Sequence, residues 1–373
     1  MPPLRVGVVF GGRSGEHEVS LASAASVISA LERGGHSVVP VGIARDGRWV
    51  VGGDPLRALA AEARRAQSDD ATRSVKKALA DRAEARSATD TALARMEPAG
   101  GLPAGLRQGL DVIVIMLHGP YGEDGTIQGL LELADVPYVG AGVLASAVGM
   151  DKATMKAVFR AHGLPVVDYE VIMRHDWQAE RAASARNVGE RIGFPCFVKP
   201  SNLGSSVGIS KVRKAAELPA AMDEAARYDR KIIIERAVTG REIEVSLLGN
   251  DQPIASLPAE IRYGGEWYDY AAKYAEGQAE VVIPAPIGPV LTRRVQELGV
   301  AAFKAIDCAG MARVDFFLEG DDHFLVNEIN TIPGFTATSG YARMWEATGV
   351  DYVSLINRLL ELALERRREH HTP

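Results

Sequence analysis

Cysteine is scarce in this chain of 373 residues: there are two, Cys196 and Cys308. They stand far apart, without a CxxC pair or a histidine cluster beside them, which excludes a disulfide framework and a cysteine-held zinc site. Cys196 lies in the apolar run Phe194–Val198 and Cys308 ends an apolar, helix-like stretch, so both read as buried, inert thiols. Long apolar runs are also missing. No stretch approaches the roughly 20 residues that span a bilayer. The opening Met1-Pro2-Pro3-Leu4-Arg5 passes directly into Val6–Phe10, too short for a secretion signal and without a small-residue cleavage site. The expected location is therefore the cytoplasm, with no membrane partner. A positive excess is lacking too: 42 Lys and Arg face 48 Asp and Glu, for a net charge of −6. No broad field would gather phosphate backbones, so nucleic acid is not an expected partner. Internal repeats of solenoid length are absent.

What remains is the balance of an ordinary globular protein, 47% hydrophobic and 24% charged, long enough for about two or three domains. Val6–Phe10 is a continuous apolar run that ends in Gly11-Gly12, and Val19–Leu31 follows with helical spacing. A buried parallel strand, a glycine turn and a helix fit that order. Further strands at Ser37–Ile43 and Asp111–Leu117 make residues 1–140 read as a doubly wound α/β domain. Residues 55–97, rich in Ala, Arg, Asp and Glu, offer few large apolar side chains and read as an exposed helical or disordered insertion. The terminal segment Arg366–Pro373 reads as a solvated, frayed tail. A helix is expected over Asp151–His162, with strands at Phe197–Lys199 and Lys231–Glu235. From Glu242 onward strands dominate, at Ile243–Leu248, Arg313–Leu318 and His323–Ile329, in a mixed or antiparallel sheet.

The strongest chemical signal is the hairpin Arg313–Asn330. Period-two alternation places Arg313 and Asp315 on one face of the first strand and Val314, Phe316 and Leu318 on the other. Glu328 and Asn330 likewise share a face. A turn at Glu319–Asp322 would make Asp315 and Glu328 cross-strand neighbours. Two carboxylates and an amide oxygen are hard ligands suited to Mg²⁺ that bridges nucleotide phosphates; the plain alternative is the polar side of an amphipathic hairpin.

Three further segments and one histidine stand out. Lys199 ends an apolar strand before the Gly- and Ser-rich loop Ser201–Gly208, which offers a cation and free N–H donors to phosphate without the Walker spacing. Gly11–Ser20 follows the first strand, yet it fails GxGxxG, and Glu16 and Glu18 stand where pyrophosphate would dock. Such carboxylates would attract an ammonium group or favour a helix N-terminus. The aromatic, polar stretch Tyr268–Gly277 could close over a site as a lid, and His118 closes the third strand, at the end where α/β ligands bind.

Together these segments resemble the D-alanine:D-alanine ligase family of ATP-grasp enzymes. The resemblance rests on FGGRSGEHEVS (10–20), LHGPYGEDG (117–125), VKPSNLGSSVG (198–208), YDYAAKY (268–274) and the pair ARVDFF (312–317) and NEINTIPG (327–334), in the family's order. It covers Val6 to about Asn357, apart from the insertion near 55–108. The implied fold is α/β and α+β multidomain. It comprises a Rossmann-like (pre-ATP-grasp) domain over 1–140, a central small ATP-grasp domain over 141–238, and a C-terminal ATP-grasp domain over 239–373 with a lid near 263–282.

The implied activity is ATP-dependent ligation of two D-alanines for peptidoglycan through an acyl phosphate, using two Mg²⁺ for which Mn²⁺ can substitute, in a homodimer. By family pattern Lys152 and Lys199 contact the nucleotide phosphates, Ser205 and Ser206 belong to the phosphate-loop and lid network, and Lys273 approaches the γ-phosphate. Glu235, Ala237, Val238 and Glu242 line the adenine and ribose pocket. Asp315, Glu328 and Asn330 match the metal ligands. Glu16 holds the first ammonium, with Ser205 and Tyr274 tying that residue to the lid and His118 nearby. Arg313 and the backbone of Gly334 stabilise the oxyanion, and Ser339 receives the second carboxylate. Relatives that use D-serine or D-lactate share the ATP machinery. Tyr274 favours the D-alanine form, whereas Gly340, where the family usually carries a larger apolar side chain, could widen the second subsite. A nicotinamide-dependent oxidoreductase would explain the first strand and its glycine turn but not the hairpin.

Overall fold

A computed structural model describes residues 1–65, 95–97, 109–204, 207–263 and 279–370. The strands are β1 (Arg5–Gly11), β2 (Ser37–Ile43), β3 (Trp49–Val51), β4 (Arg95–Glu97), β5 (Val112–Met116), β6 (Tyr169–Met173), β7 (Cys196–Pro200), β8 (Ser210–Val212), β9 (Lys231–Arg236), β10 (Gly240–Gly249), β11 (Ile254–Ala255), β12 (Ala259–Tyr263), β13 (Ala279–Val282), β14 (Gly310–Glu319) and β15 (His323–Asn330). They form three sheets.

The first sheet has the order β4-β3-β2-β1-β5. The apolar runs of β1 and β5 are buried on both faces, as a central parallel strand requires, and β1 pairs in parallel with both β2 and β5. The doubly wound expectation needs amending at the edge, because β3 and β4 join antiparallel. The helix Pro55–Arg65 also departs from the expected exposed insertion. Leu56, Leu59, Ala60 and Ala63 fall at helical spacing on one stripe and are buried in the first core. Each buried leucine contributes about 1.5–3 kcal/mol, enough to seat a helix whose other face is charged. The rest of that insertion, 66–94 and 98–108, lies outside the described residues.

The second sheet, β6-β9-β7-β8, is antiparallel. Between β9 and β10 lie only residues 237–239, after which the chain enters the third sheet, β13-β12-β10-β14-β15, with β11 on β10. All its pairs are antiparallel. Val314, Phe316 and Leu318 point into the second core while Arg313 and Asp315 face away from it, as alternation demands.

The final helix, Tyr352–His370, does not stay with the third sheet. Leu355, Ile356, Leu359, Leu360, Leu362 and Ala363 enter the core of the first, and His36 Nε2 lies 3.0 Å from Asn357 Oδ1. Arg366, expected in a frayed tail, is anchored instead: its guanidinium donates to the carbonyls of Gly140 and, at 3.1 Å, Tyr138. The guanidinium also stacks over the Tyr138 ring, 4.5 Å from its centroid. Cys196 and Cys308 are buried, and burial pushes their thiols up to about 11 and about 12.

Candidate active site

The hairpin register places the expected side chains together. Asp315 pairs with Glu328 and Arg313 with Asn330 across β14 and β15. A β-bulge follows, since Phe316 pairs with Val326, leaving Asn327 as the extra residue. Arg313 grips Asp315 through two bonds of 2.7 Å, from Nε to Oδ1 and from Nη2 to Oδ2. Asn330 Nδ2 donates to Asp315 Oδ2 at 3.1 Å, so its amide oxygen points elsewhere. Burial opposes the charge on Arg313, but Asp315 and Glu244 outweigh it and hold the guanidinium protonated.

Lys152 joins this cluster to the loop after β7. It follows Asp151, the N-cap of the helix Lys152–Ala161, whose side chain accepts from Thr154 N. Its Nζ lies 3.3 Å from Glu328 Oε2 and donates to Leu203 O at 2.9 Å. One turn on, Lys156 is fully buried. It donates to the bulge carbonyl of Asn327 at 3.0 Å and pairs with Glu235 Oε1 at 3.1 Å. Glu235 also receives Lys199 Nζ at 2.5 Å. Burial alone would raise the Glu235 carboxyl, yet Lys156 and Lys199 hold it well below the usual range. Burial lowers Lys156; for Lys199 the charge of Glu235 outweighs burial and raises it. Glu242 accepts from Tyr263 Oη at 2.7 Å, and Ala237 N donates to Pro195 O at 3.1 Å; Val238 follows in the same short link.

On the opposite wall, Glu16 occupies the N-cap position of the helix His17–Arg33, but its side chain makes no capping bond. The carboxylate instead lies beside two glycines: a Cβ would fall 3.0 Å from its Oε2 at Gly119 and 3.4 Å at Gly204. Glu16 thus stands between the loop after β5 and the loop after β7. Its neighbour Glu18 is paired with Arg45, a structural use. His118 is buried, with Nδ1 at 3.1 Å from Ile332 O and Nε2 at 3.3 Å from Ser23 Oγ, and burial lowers its pKa. The carbonyl facing Nδ1 fixes the proton there. Gly334 follows Ile332-Pro333, and a Cβ on it would lie 3.5 Å from Ser339 Oγ. Ser339 precedes the helix Gly340–Ala347, and its Oγ accepts from Thr336 N at 3.0 Å. Ser205, Ser206, Lys273 and Tyr274 lie outside the described residues.

Three charged residues here went unassigned from sequence. Lys156 has a signal, its i+4 spacing from Lys152; Glu244 repeats the alternation of Glu242; Glu123 sits in the same motif as His118. Glu123 accepts from Gly119 N at 2.6 Å. Burial, reinforced by Glu16, pushes its carboxyl up to about 8, against backbone bonds from Gly119 and Ile332. The folded state therefore keeps a proton that the unfolded chain releases near pH 4. Stability from this group is present below that pH and is lost as pH rises through about 8, at no more than about 1.4 kcal/mol per pH unit. His118 works the other way, destabilising only as pH falls below 6.5. Between pH 7 and 9, then, Glu123→Gln should show a flatter melting-temperature profile than wild type. Parallel profiles would refute the buried proton.

Among the described residues no three His, Cys, Asp or Glu side chains gather as a closed metal cage. The donor set is Asp315, Glu328 and the Asn330 amide, two carboxylates and a neutral oxygen. That chemistry fits a hard divalent cation whose remaining ligands are water and phosphate oxygen.

Comparison with known proteins agrees over the whole length. The family model for the D-ala D-ala ligase N-terminus matches residues 5–141, and that for the C-terminus matches residues 158–361. The D-alanine--D-alanine ligase of Heliobacterium modesticaldum is 48% identical over 98% of this chain and 95% of its own length. That of Streptomyces coelicolor is 47% identical over 97% and 93%. Among solved structures, the D-alanine-D-alanine ligase from Coxiella burnetii superposes with a TM-score of 0.78 at 35% identity, covering 99% of this chain and 96% of that one. VanG D-Ala:D-Ser ligase from Enterococcus faecalis gives 0.78 at 29% identity, covering 97% and 99%.

Proposed function

The chain belongs to the D-alanine–D-alanine ligase family, and from that premise we propose how its residues join two D-alanines at the expense of ATP. The observation that carries the reading is the cross-strand register Asp315↔Glu328 and Arg313↔Asn330. It puts hard metal ligands and a guanidinium on one face, beside Lys152. A free carboxylate is a poor electrophile because its leaving group would be oxide or hydroxide. Transfer of the γ-phosphoryl group makes it an acyl phosphate: one carboxylate oxygen bonds phosphorus as the bond to ADP breaks. The amine of the second D-alanine then attacks the acyl carbon, the tetrahedral oxyanion collapses, and phosphate leaves.

In this scheme Glu16 holds the first ammonium, close to His118 and the phosphate loop. Lys152 and Lys199, with Lys273 of the lid, face the phosphates. Glu235, Ala237, Val238 and Glu242 line the purine and ribose side. Ser205, Ser206 and Tyr274 serve the loop and lid. Arg313 and the Gly334 backbone meet the developing oxyanion, where preformed donors act most strongly, and Ser339 takes the second carboxylate. Asp315, Glu328 and Asn330 would hold two Mg²⁺, with Mn²⁺ an acceptable replacement. The divalent cations supply charge neutralisation at the transferring phosphoryl group.

The three-part division at about 140 and 238, a cytoplasmic location and a homodimer complete the proposal. The changes of sheet at β6 and β10 support the division. No helix among the described residues is long and apolar enough to cross a membrane. The test is phosphate release from ATP with D-alanine, L-alanine, D-serine or D-lactate, with and without Mg²⁺, followed by product mass. The expected product is D-alanyl-D-alanine, formed only with metal. Phosphate release without a dipeptide mass would sink the ligation reading, and preferential D-alanyl-D-serine would reassign the second substrate.

A further inference from the structure

Glu244 lies midway along β10, directly opposite Asp315 on β14, so its side chain shares the face of Arg313 and Asp315. It is 8% exposed. A carboxylate so withdrawn from water is retained at a cost unless it is paired. Its Oε1 lies 3.4 Å from Arg313 Nε. Its other oxygen faces the start of the helix Gly340–Ala347, where a Cβ on Gly340 would come within 3.4 Å of Oε2. That helix is fastened to the same strand, through Ser246 Oγ to Tyr341 O at 3.4 Å and Tyr341 Oη to Leu247 O at 2.9 Å. The carboxylate therefore sits between the guanidinium and the helix that begins just after Ser339.

The geometry points to Glu244 as a positioning residue for the amide-forming step, holding Arg313 at a fixed orientation toward the reacting acyl group. The two bonds to Asp315 tie the guanidinium to a residue of its own strand, and Asp315 takes the one Nε hydrogen. A second carboxylate on the neighbouring strand, 3.4 Å from Nε, holds the cation by charge from another side and ties it to β10 as well. Gly340 borders the same carboxylate, because a Cβ there would lie in van der Waals contact with Oε2, the oxygen turned away from Arg313. The inference rests on Arg313 acting on the oxyanion, as proposed above.

The test compares the full-length wild type with Glu244→Gln, which keeps shape but removes charge, and Glu244→Asp, which keeps charge on a shorter arm. Dipeptide formation is measured beside positional isotope exchange in ATP labelled with ¹⁸O at the β,γ-bridge, which reports reversible acyl-phosphate formation. Glu244→Gln should slow dipeptide formation about tenfold to a hundredfold, the range for loss of one contact to a charged group. The ratio of isotope exchange to turnover should rise, because acyl phosphate that is not captured returns to ATP. KM for ATP should hold, and Glu244→Asp should show the same change in smaller degree. A parallel fall in both rates, or an unchanged ratio, overturns the inference; if Glu244→Gln does not fold, the ratio in Glu244→Asp decides. Absence of dipeptide in the wild type would instead overturn the functional reading itself.

Discussion

Asp315→Ala should lower kcat for dipeptide formation by at least about a thousandfold, since several kcal/mol of charge stabilisation at the phosphoryl group would be lost. In the proposed scheme the side chain has two duties. It would offer oxygen to the metal beside Glu328, and it is the bidentate partner of Arg313. Removing it strips the guanidinium of its closest carboxylate but leaves Glu244 at 3.4 Å. The stability loss should accordingly fall short of the about 3–5 kcal/mol that follows from an uncompensated buried charge. Mn²⁺ titration followed by electron paramagnetic resonance separates the two duties: binding should weaken sharply in a variant that still melts cooperatively. Near-normal turnover, or Mn²⁺ affinity equal to wild type, would remove Asp315 from the metal face.

Lys156→Met should cost about 3 kcal/mol of folding stability, the lower end for breaking a buried ion pair. The lower end applies because Lys199 remains on Glu235. Methionine matches the aliphatic stem in length, so the loss isolates the ammonium from packing. Two groups are stranded together: one oxygen of Glu235 and the bulge carbonyl of Asn327. The bulge sets the register one residue before Glu328, so metal affinity should weaken along with stability. Urea denaturation at an unchanged slope is the measure; an unchanged midpoint would show that the buried ammonium contributes nothing net.

Sequence alone conveyed the hairpin well because alternation is a strict geometric rule: once Val314, Phe316 and Leu318 point to a core, Arg313 and Asp315 must face away. It conveyed less where an interaction joins residues far apart in the chain. The pairing of Glu244 with Arg313 depends on β10 lying beside β14, and nothing local in either strand fixes that neighbour. The packing of the helix Pro55–Arg65 is masked by the average Ala, Arg and Glu content of its stretch, although the apolar stripe at 56, 59, 60 and 63 is visible residue by residue. The anchoring of Arg366 is not legible in sequence, because its partners are the Tyr138 and Gly140 backbone carbonyls, which leave no trace in side-chain chemistry.

The return of the last helix to the first sheet has a consequence for how the chain is made. Strands β1, β2 and β5 are complete once residue 116 has been synthesised, but the apolar face that Leu355, Leu359 and Leu360 will cover waits for more than 200 further residues. At ordinary ribosomal speed that is about 10 to 40 s. During that interval the nascent N-terminal segment carries an open hydrophobic surface and is a natural client for chaperones at the tunnel exit. A chain that ends just before the last helix would carry the site residues from Glu16 to Ser339 with its first core unsealed.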